Sequence, residues 1–209
     1  MNRPLVITDC DEVLLHMLRP FSDWLGEEHG VDFPLDGNPF ATPKFRRGET
    51  ERMPDAEMWA LLECFFDSEM GRQTEIPGAV ATIAQLQRDA DVVVLTNLQD
   101  RFNEARTRQL LDLGIGVQVF TNQGPKGAAL ARSVEQFSPA RAVFIDDMAV
   151  HHHSAFEVIP HVSRLHFCGE PAVSPHIPCA HVAGHAHARI DSWDKALPWL
   201  IETLHGDAA

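Results

Sequence analysis

The sequence predicts an α/β fold: a parallel sheet with helices on both faces, interrupted by one helical insertion. Three observations predict it. Four short apolar runs rich in β-branched residues recur along the chain, and each ends in Thr, Asn or Asp. Helical apolar periodicity occupies most of the intervals between them. The first interval, about 60 residues long, has no convincing strand pattern.

The first run is Leu5-Val6-Ile7, ending in Thr8-Asp9. The second is Val92 to Leu95, ending in Thr96-Asn97. The third is Val117 to Phe120, ending in Thr121-Asn122, and the fourth is Ala142 to Ile145, ending in Asp146-Asp147. A weaker fifth run spans Val162 to Phe167. Short continuous runs of this kind read as strands buried on both faces. Between them, Val80, Ile83, Ala84 and Gln87 follow Pro77-Gly78. Phe102, Arg106, Gln109, Leu110 and Leu113 form a weaker stripe before Gly114, and Leu130, Val134 and Phe137 follow Gly127. Leu197, Leu200, Ile201 and Leu204 close the chain at i, i+3, i+4, i+7.

The insertion is expected over 15–75, which leaves 1–14 and 76–209 as the core. Met17, Phe21, Trp24 and Leu25 form one amphipathic stripe in it, and Met58, Leu61, Leu62 and Phe65 form another. The Pro-, Gly- and charge-rich stretch between them reads as loop. Trp24 and Trp59 are expected in the core of this small unit.

At 209 residues the chain is one domain with room for an insertion. Its 44% hydrophobic and 22% charged content exclude wholesale disorder and collagen-like repeats. No apolar run is long enough for a membrane helix, and no signal-peptide pattern opens the chain, so no membrane partner is expected. The net charge of −13 argues against nucleic-acid binding, because phosphate backbones are repelled. Cys10, Cys64, Cys168 and Cys179 are widely spaced without a CxxC, so a reduced, cytoplasmic setting is expected. Oligomeric state is not legible.

Ligands of open α/β sheets bind beyond the carboxyl ends of the strands. Here those ends carry Asp9 with Asp11, Thr96 with Asn97, and Asp146 with Asp147, while Lys126 lies in a Gly-Pro-Lys-Gly turn. Singly, each is ordinary turn or capping chemistry. Carboxylates gathered in one cleft repel one another unless a cation lies among them, and oxygen-only ligands suit Mg²⁺.

Four segments in this order, VITDCDEV, VVVLTN, GPKGAAL and VFIDD, resemble the motifs of the haloacid-dehalogenase-like superfamily of phosphohydrolases. They frame residues 5–147. The resemblance implies a Rossmann-like core and a small helical cap. It implies a Mg²⁺-dependent phosphomonoester hydrolase acting on a small phosphorylated metabolite. Asp9 would be the nucleophile that forms an aspartyl-phosphate, and Asp11 the general acid and base. Thr96, with Asn97, would hold phosphate oxygens, and Lys126 would offset their charge. Asp146 and Asp147 would hold Mg²⁺ together with Asp9 and the Asp11 carbonyl. A phosphomutase or other phosphoryl transferase, or a non-catalytic relative that binds a metal or a partner, are the alternatives. The presence of Asp11 favours phosphate esters over carbon–halogen bonds, whose halide leaves without a proton.

Two features depart from the family pattern. Glu12 stands where Gly is common, and MAVHHH follows the acidic pair where a further Asp is common. Glu12, and Lys44, Arg46 and Arg47 of the insertion, are candidates for contacting the rest of the substrate, although a solvated basic loop explains the last three equally. Ten of the twelve histidines fall at or after His151. With Cys168 and Cys179 they include zinc-competent side chains, but no standard zinc spacing occurs, and a His-rich surface loop is expected.

Overall fold

The computed structural model describes residues 2–206. Its main sheet has six strands: β1 (Leu5–Thr8), β4 (Asp91–Thr96), β5 (Gln118–Thr121), β6 (Ala142–Asp146), β7 (Ser163–His166) and β8 (Ala188–Arg189). They lie in the order β5-β4-β1-β6-β7-β8, all pairings parallel. The chain runs outward from β1 to β4 and β5, then crosses to the other side for β6 to β8. That reversal opens a crevice at the carboxyl end of β1, where α/β folds bind ligands.

Helices cover both faces. They are α3 (Ala79–Leu86), α4 (Asn103–Asp112), α5 (Gly127–Phe137), α6 (Ala149–Val158) and α7 (Trp193–His205). Side chains alternate along each strand. Val6, Val92, Val94, Val143 and Ile145 pack with Ile83, Leu110, Trp193 and Leu200 in one core. Leu5, Ile7, Val93, Leu95 and Phe144 pack with Leu130 and Ala155 in the other. Double-sided burial explains why the strands read as unbroken apolar runs. Within this main sheet, β8 is the strand the pattern missed. It contributes only two residues to the sheet edge, too few for a periodic signal.

Helices α5 and α6 pack closely at Gly127. A Cβ added there would meet the Ser154 carbonyl oxygen at 2.4 Å, and the Gly127 N–H donates to Ser154 Oγ. Gly127→Ala is therefore expected to cost about 1–3 kcal/mol by overpacking. Thermal unfolding should show it as a fall of several degrees.

Between β1 and α3 lie α1 (Leu18–Glu28) and α2 (Asp55–Cys64), each built on its expected apolar stripe. Two short strands, β2 (Leu15–His16) and β3 (Thr74–Glu75), pair antiparallel at the base of this unit. They are too short for the sequence pattern to show. The unit has its own core of Phe21, Trp24, Leu25, Phe33 and Phe65, joined by Leu98 and Phe102 from the main body. Trp24 is buried as expected. Trp59 is not: it is 53% exposed and stacks flat on Phe40. It follows Met58 by one residue, about 100° round the helix from that buried position, and so small a unit has nothing to cover it there.

Candidate active site

The carboxyl ends of β1, β4 and β6 gather the motif residues. The Asp9 N–H donates to the Ile145 carbonyl at 2.8 Å, which sets Asp9 beside Asp146 at the sheet edge. Lys126, which precedes α5, is fully buried. Its Nζ lies 2.9 Å from Asp9 Oδ1 and 2.7 Å from Asp146 Oδ2. Asp147, partly exposed, completes a group in which Asp9, Asp146 and Asp147 each offer an oxygen within 4.8 Å of the others.

Crowding of like charge sets the electrostatics. Burial pushes the Asp9 carboxyl up to about 7; Lys126 pulls it down, while Asp146 and Asp11 push it further up. Burial, and then Asp146 and Asp9, hold Asp147 well above the usual carboxylate range. Asp146 resists burial because Lys126 is in contact, and it stays below its ordinary value. A buried lysine would ordinarily be pushed down, but the two carboxylates hold it above its ordinary value. An all-oxygen donor set with this excess of negative charge fits a hard divalent cation such as Mg²⁺.

Thr96 ends β4 and is buried, and its Oγ1 has no hydrogen-bond partner. A buried hydroxyl without a partner is costly unless a ligand supplies one. The neighbouring Asn97 side chain is spent on the loop: Nδ2 donates to the Gly124 carbonyl, and Oδ1 accepts from Asn122. This leaves the Asn97 backbone as its means of contacting a ligand. His151 Nε2 lies 3.3 Å from Asn97 Nδ2.

Asp11 faces the insertion. Arg106 Nη2 reaches both of its carboxylate oxygens, at 2.9 and 3.2 Å, and Gln73 Nε2 donates to Oδ1 at 2.7 Å. Arg106 is fully buried on α4. The signal for it was present in the sequence, since a charged residue lies on the apolar stripe of that helix. Two histidines hold the backbone of the acidic pair, one of them from the histidine run that follows the pair directly in sequence. His152 Nε2 donates to the Asp146 carbonyl at 2.9 Å, and His166 Nε2 to the Asp147 carbonyl at 2.7 Å. His166 Nδ1 accepts from the Ala180 N–H, which fixes its tautomer. Burial holds both rings below their ordinary value, His152 at about 4, so they are neutral clamps on the backbone of the acidic pair. Part of the histidine run after the acidic pair is thus buried structure.

The basic residues of the insertion are not brought to this cluster. Lys44 is buried and donates to the Pro39 and Thr42 carbonyls. Arg46 pairs with Glu57, and Arg47 with Asp32. All these partners lie within the insertion. Glu12, by contrast, is close to the site. It has a φ of 58°, in the left-handed region that favours glycine. The turn after β1 therefore has the backbone that glycine commonly supplies there, and Glu12 adopts it at a cost. The histidines and cysteines of the later segment form no metal-competent group of three among the described residues.

A parallel sheet with a helical insertion after its first strand, and an acidic cluster at that strand's end, define a known class of fold. No family model and no curated protein matches the chain by sequence. Solved structures match it by shape. A haloacid dehalogenase-like family hydrolase from Streptococcus pneumoniae matches with a TM-score of 0.65 at 13% identity, over 94% of this chain and 97% of that one. A protein provisionally named β-phosphoglucomutase from Thermotoga maritima has a TM-score of 0.65 at 16% identity, over 96% and 100%. A protein provisionally named phosphoglycolate phosphatase from Lactobacillus plantarum has a TM-score of 0.64 at 16% identity, over 95% and 99%. The chain has the fold of the haloacid dehalogenase-like hydrolases.

Proposed function

We propose that the chain is a Mg²⁺-dependent phosphomonoester hydrolase that works through an aspartyl-phosphate on Asp9. The observation that carries this reading is the buried Lys126 bridging Asp9 and Asp146, with Asp147 beside them. In phosphoryl transfer the protein's work is positioning and charge neutralisation. The order and spacing of the motifs, and the fold shared with hydrolases, support it further.

In this reading Asp9 attacks the phosphorus in line, and the ester oxygen leaves with a proton from Asp11. Asp11 then takes a proton from the water that opens the acyl phosphate. Arg106 and Gln73 aim the Asp11 carboxyl, one from the core and one from the base of the insertion. Lys126 and the Thr96 hydroxyl hold phosphate oxygens, with the Asn97 backbone beside them. Asp9, Asp146, Asp147 and the Asp11 carbonyl would hold Mg²⁺, which when bound supplies positive charge against the phosphate and the attacking carboxylate. Residues 15–75 form the cap that closes the site against water. The substrate is a small phosphorylated metabolite.

The reading extends to setting and partners. All four cysteines are free, which supports a reduced cytoplasmic compartment. No helix among the described residues is long and apolar enough to cross a membrane. The acidic charge supports the absence of a nucleic-acid partner.

Assay of the purified chain on an aryl phosphate and a phosphometabolite panel, with and without Mg²⁺, tests the proposal. Mg²⁺-dependent release of inorganic phosphate is expected. Transfer of phosphate between positions of one metabolite without release would make it a mutase instead. No turnover on any compound would leave only a binding role.

Thr96→Val separates ligand binding from stability. The variant removes a buried hydroxyl that has no partner, so its melting temperature should equal or exceed that of the parent. Its inhibition by inorganic phosphate should weaken about tenfold, one hydrogen bond's worth. An unchanged inhibition constant would remove Thr96 from the phosphate site.

A further inference from the structure

A second group of ligand-bearing side chains lies at the base of the cap. Glu12 of the turn after β1, His16 of β2 and Glu170 of the loop after β7 each present a ligand atom within 4.8 Å of the others. Glu170 is fully buried and Glu12 is 2% exposed. Their remaining valences are largely accounted for. Glu12 Oε1 accepts the Met17 and Leu18 N–H groups at 2.8 and 2.6 Å. Arg19 holds Glu170 through both carboxylate oxygens, and the Ala172 N–H donates to Oε1. Two buried atoms are left without a partner: Glu12 Oε2 and His16 Nδ1. His16 Nδ1 lies 3.4 Å from Glu170 Oε2.

Two orphaned donor atoms in one buried group are costly, since each has lost its water. Glu12 also occupies a left-handed backbone position at a turn where glycine would sit freely. A cation with open coordination sites would satisfy both atoms at once. An imidazole nitrogen with two carboxylates is a donor set for a first-row transition ion, because imidazole suits zinc and carboxylates alone suit magnesium. The Arg19 and Ala172 contacts to Glu170 are the kind of outer partners that orient a ligating carboxylate.

We propose that Glu12, His16 and Glu170 form a second metal site, for Zn²⁺ or a similar divalent transition ion, distinct from the Asp9–Asp146–Asp147 cluster. It joins the turn after β1, the first strand of the insertion and the loop after β7. An ion there would staple the base of the cap to the core. The inference concerns binding and not turnover, and takes from the phosphatase reading only the Mg²⁺ site at the acidic cluster.

The test uses the full chain with Mg²⁺ in excess, so that the acidic cluster is occupied. Titration calorimetry with Zn²⁺ should show one equivalent bound. His16→Ala and Glu170→Gln should each weaken that binding by at least about tenfold. Asp146→Asn should retain it. Crystals soaked in Zn²⁺ should give an anomalous peak among the three side chains, a result that needs no variant to fold. Zn²⁺ found only at the Asp9 cluster, or only at the exposed His153–His185 pair, would overturn the proposal. So would binding by both variants equal to that of the parent, or no binding at all, which would leave a proton shared within the group.

Discussion

Asp9→Asn is expected to lower Mg²⁺-dependent phosphate release by at least about 10⁴-fold, while the protein stays folded. The size follows from the mechanism proposed above: removing its covalent nucleophile removes the route, not one contact along it. A factor of 10⁴ corresponds to about 5.5 kcal/mol of barrier. Stability should change little, for a reason visible in the site. Asp9 is a buried carboxyl pushed up to about 7, so a neutral amide of the same shape gives up little. Lys126 keeps Asp146 as its partner. Single-turnover phosphate release and a melting curve read the two effects. Activity within tenfold of the parent would exclude Asp9 as the nucleophile.

Lys126→Met has the second largest expected effect, and it reaches both activity and folding. The ammonium is fully buried between two carboxylates, and removing it leaves that charge uncompensated. Breaking a buried pair in this way costs about 3–5 kcal/mol. In EDTA the melting temperature should fall by roughly 6–20 °C for a chain of this size. Added Mg²⁺ should recover part of the loss, because a cation bound to the folded cluster compensates the same carboxylates. Activity in saturating Mg²⁺ should still fall by about 10²–10³-fold, the usual cost of losing one preorganised group facing the transferred charge. A variant as stable in EDTA as the parent would mean that Lys126 is not needed to hold the cluster together.

Much of the fold was legible because buried parallel strands leave a plain trace. Each is a short β-branched run, and each main run here ends in a polar residue that marks the turn. The residues gathered at the acidic cluster were legible in position for the same reason, since Asp9 and Asp146 are those end residues. Lys126 was singled out only by the likeness of its GPKGAAL segment to a family motif, since a lysine in such a turn by itself reads as solvated. The two stripes of the insertion predicted its helices. What failed was local. Strands β2, β3 and β8 have two residues each, so no period can appear in them. Trp59 lies on a helix face that only the size of the insertion leaves bare.

By itself the sequence determined the α/β class and which residues stand at the strand ends, since both rest on neighbours along the chain. Tertiary structure alone decided that Lys126 bridges two carboxylates 117 and 20 residues away, and that a buried Arg106 holds Asp11. It alone turned His152 and His166 inward onto the backbone of the acidic pair, and brought Glu12, His16 and Glu170 together. The physical reason is range. Periodicity and turn chemistry act within a few residues, whereas burial, charge and hydrogen bonding act between whatever side chains the packed sheet sets side by side.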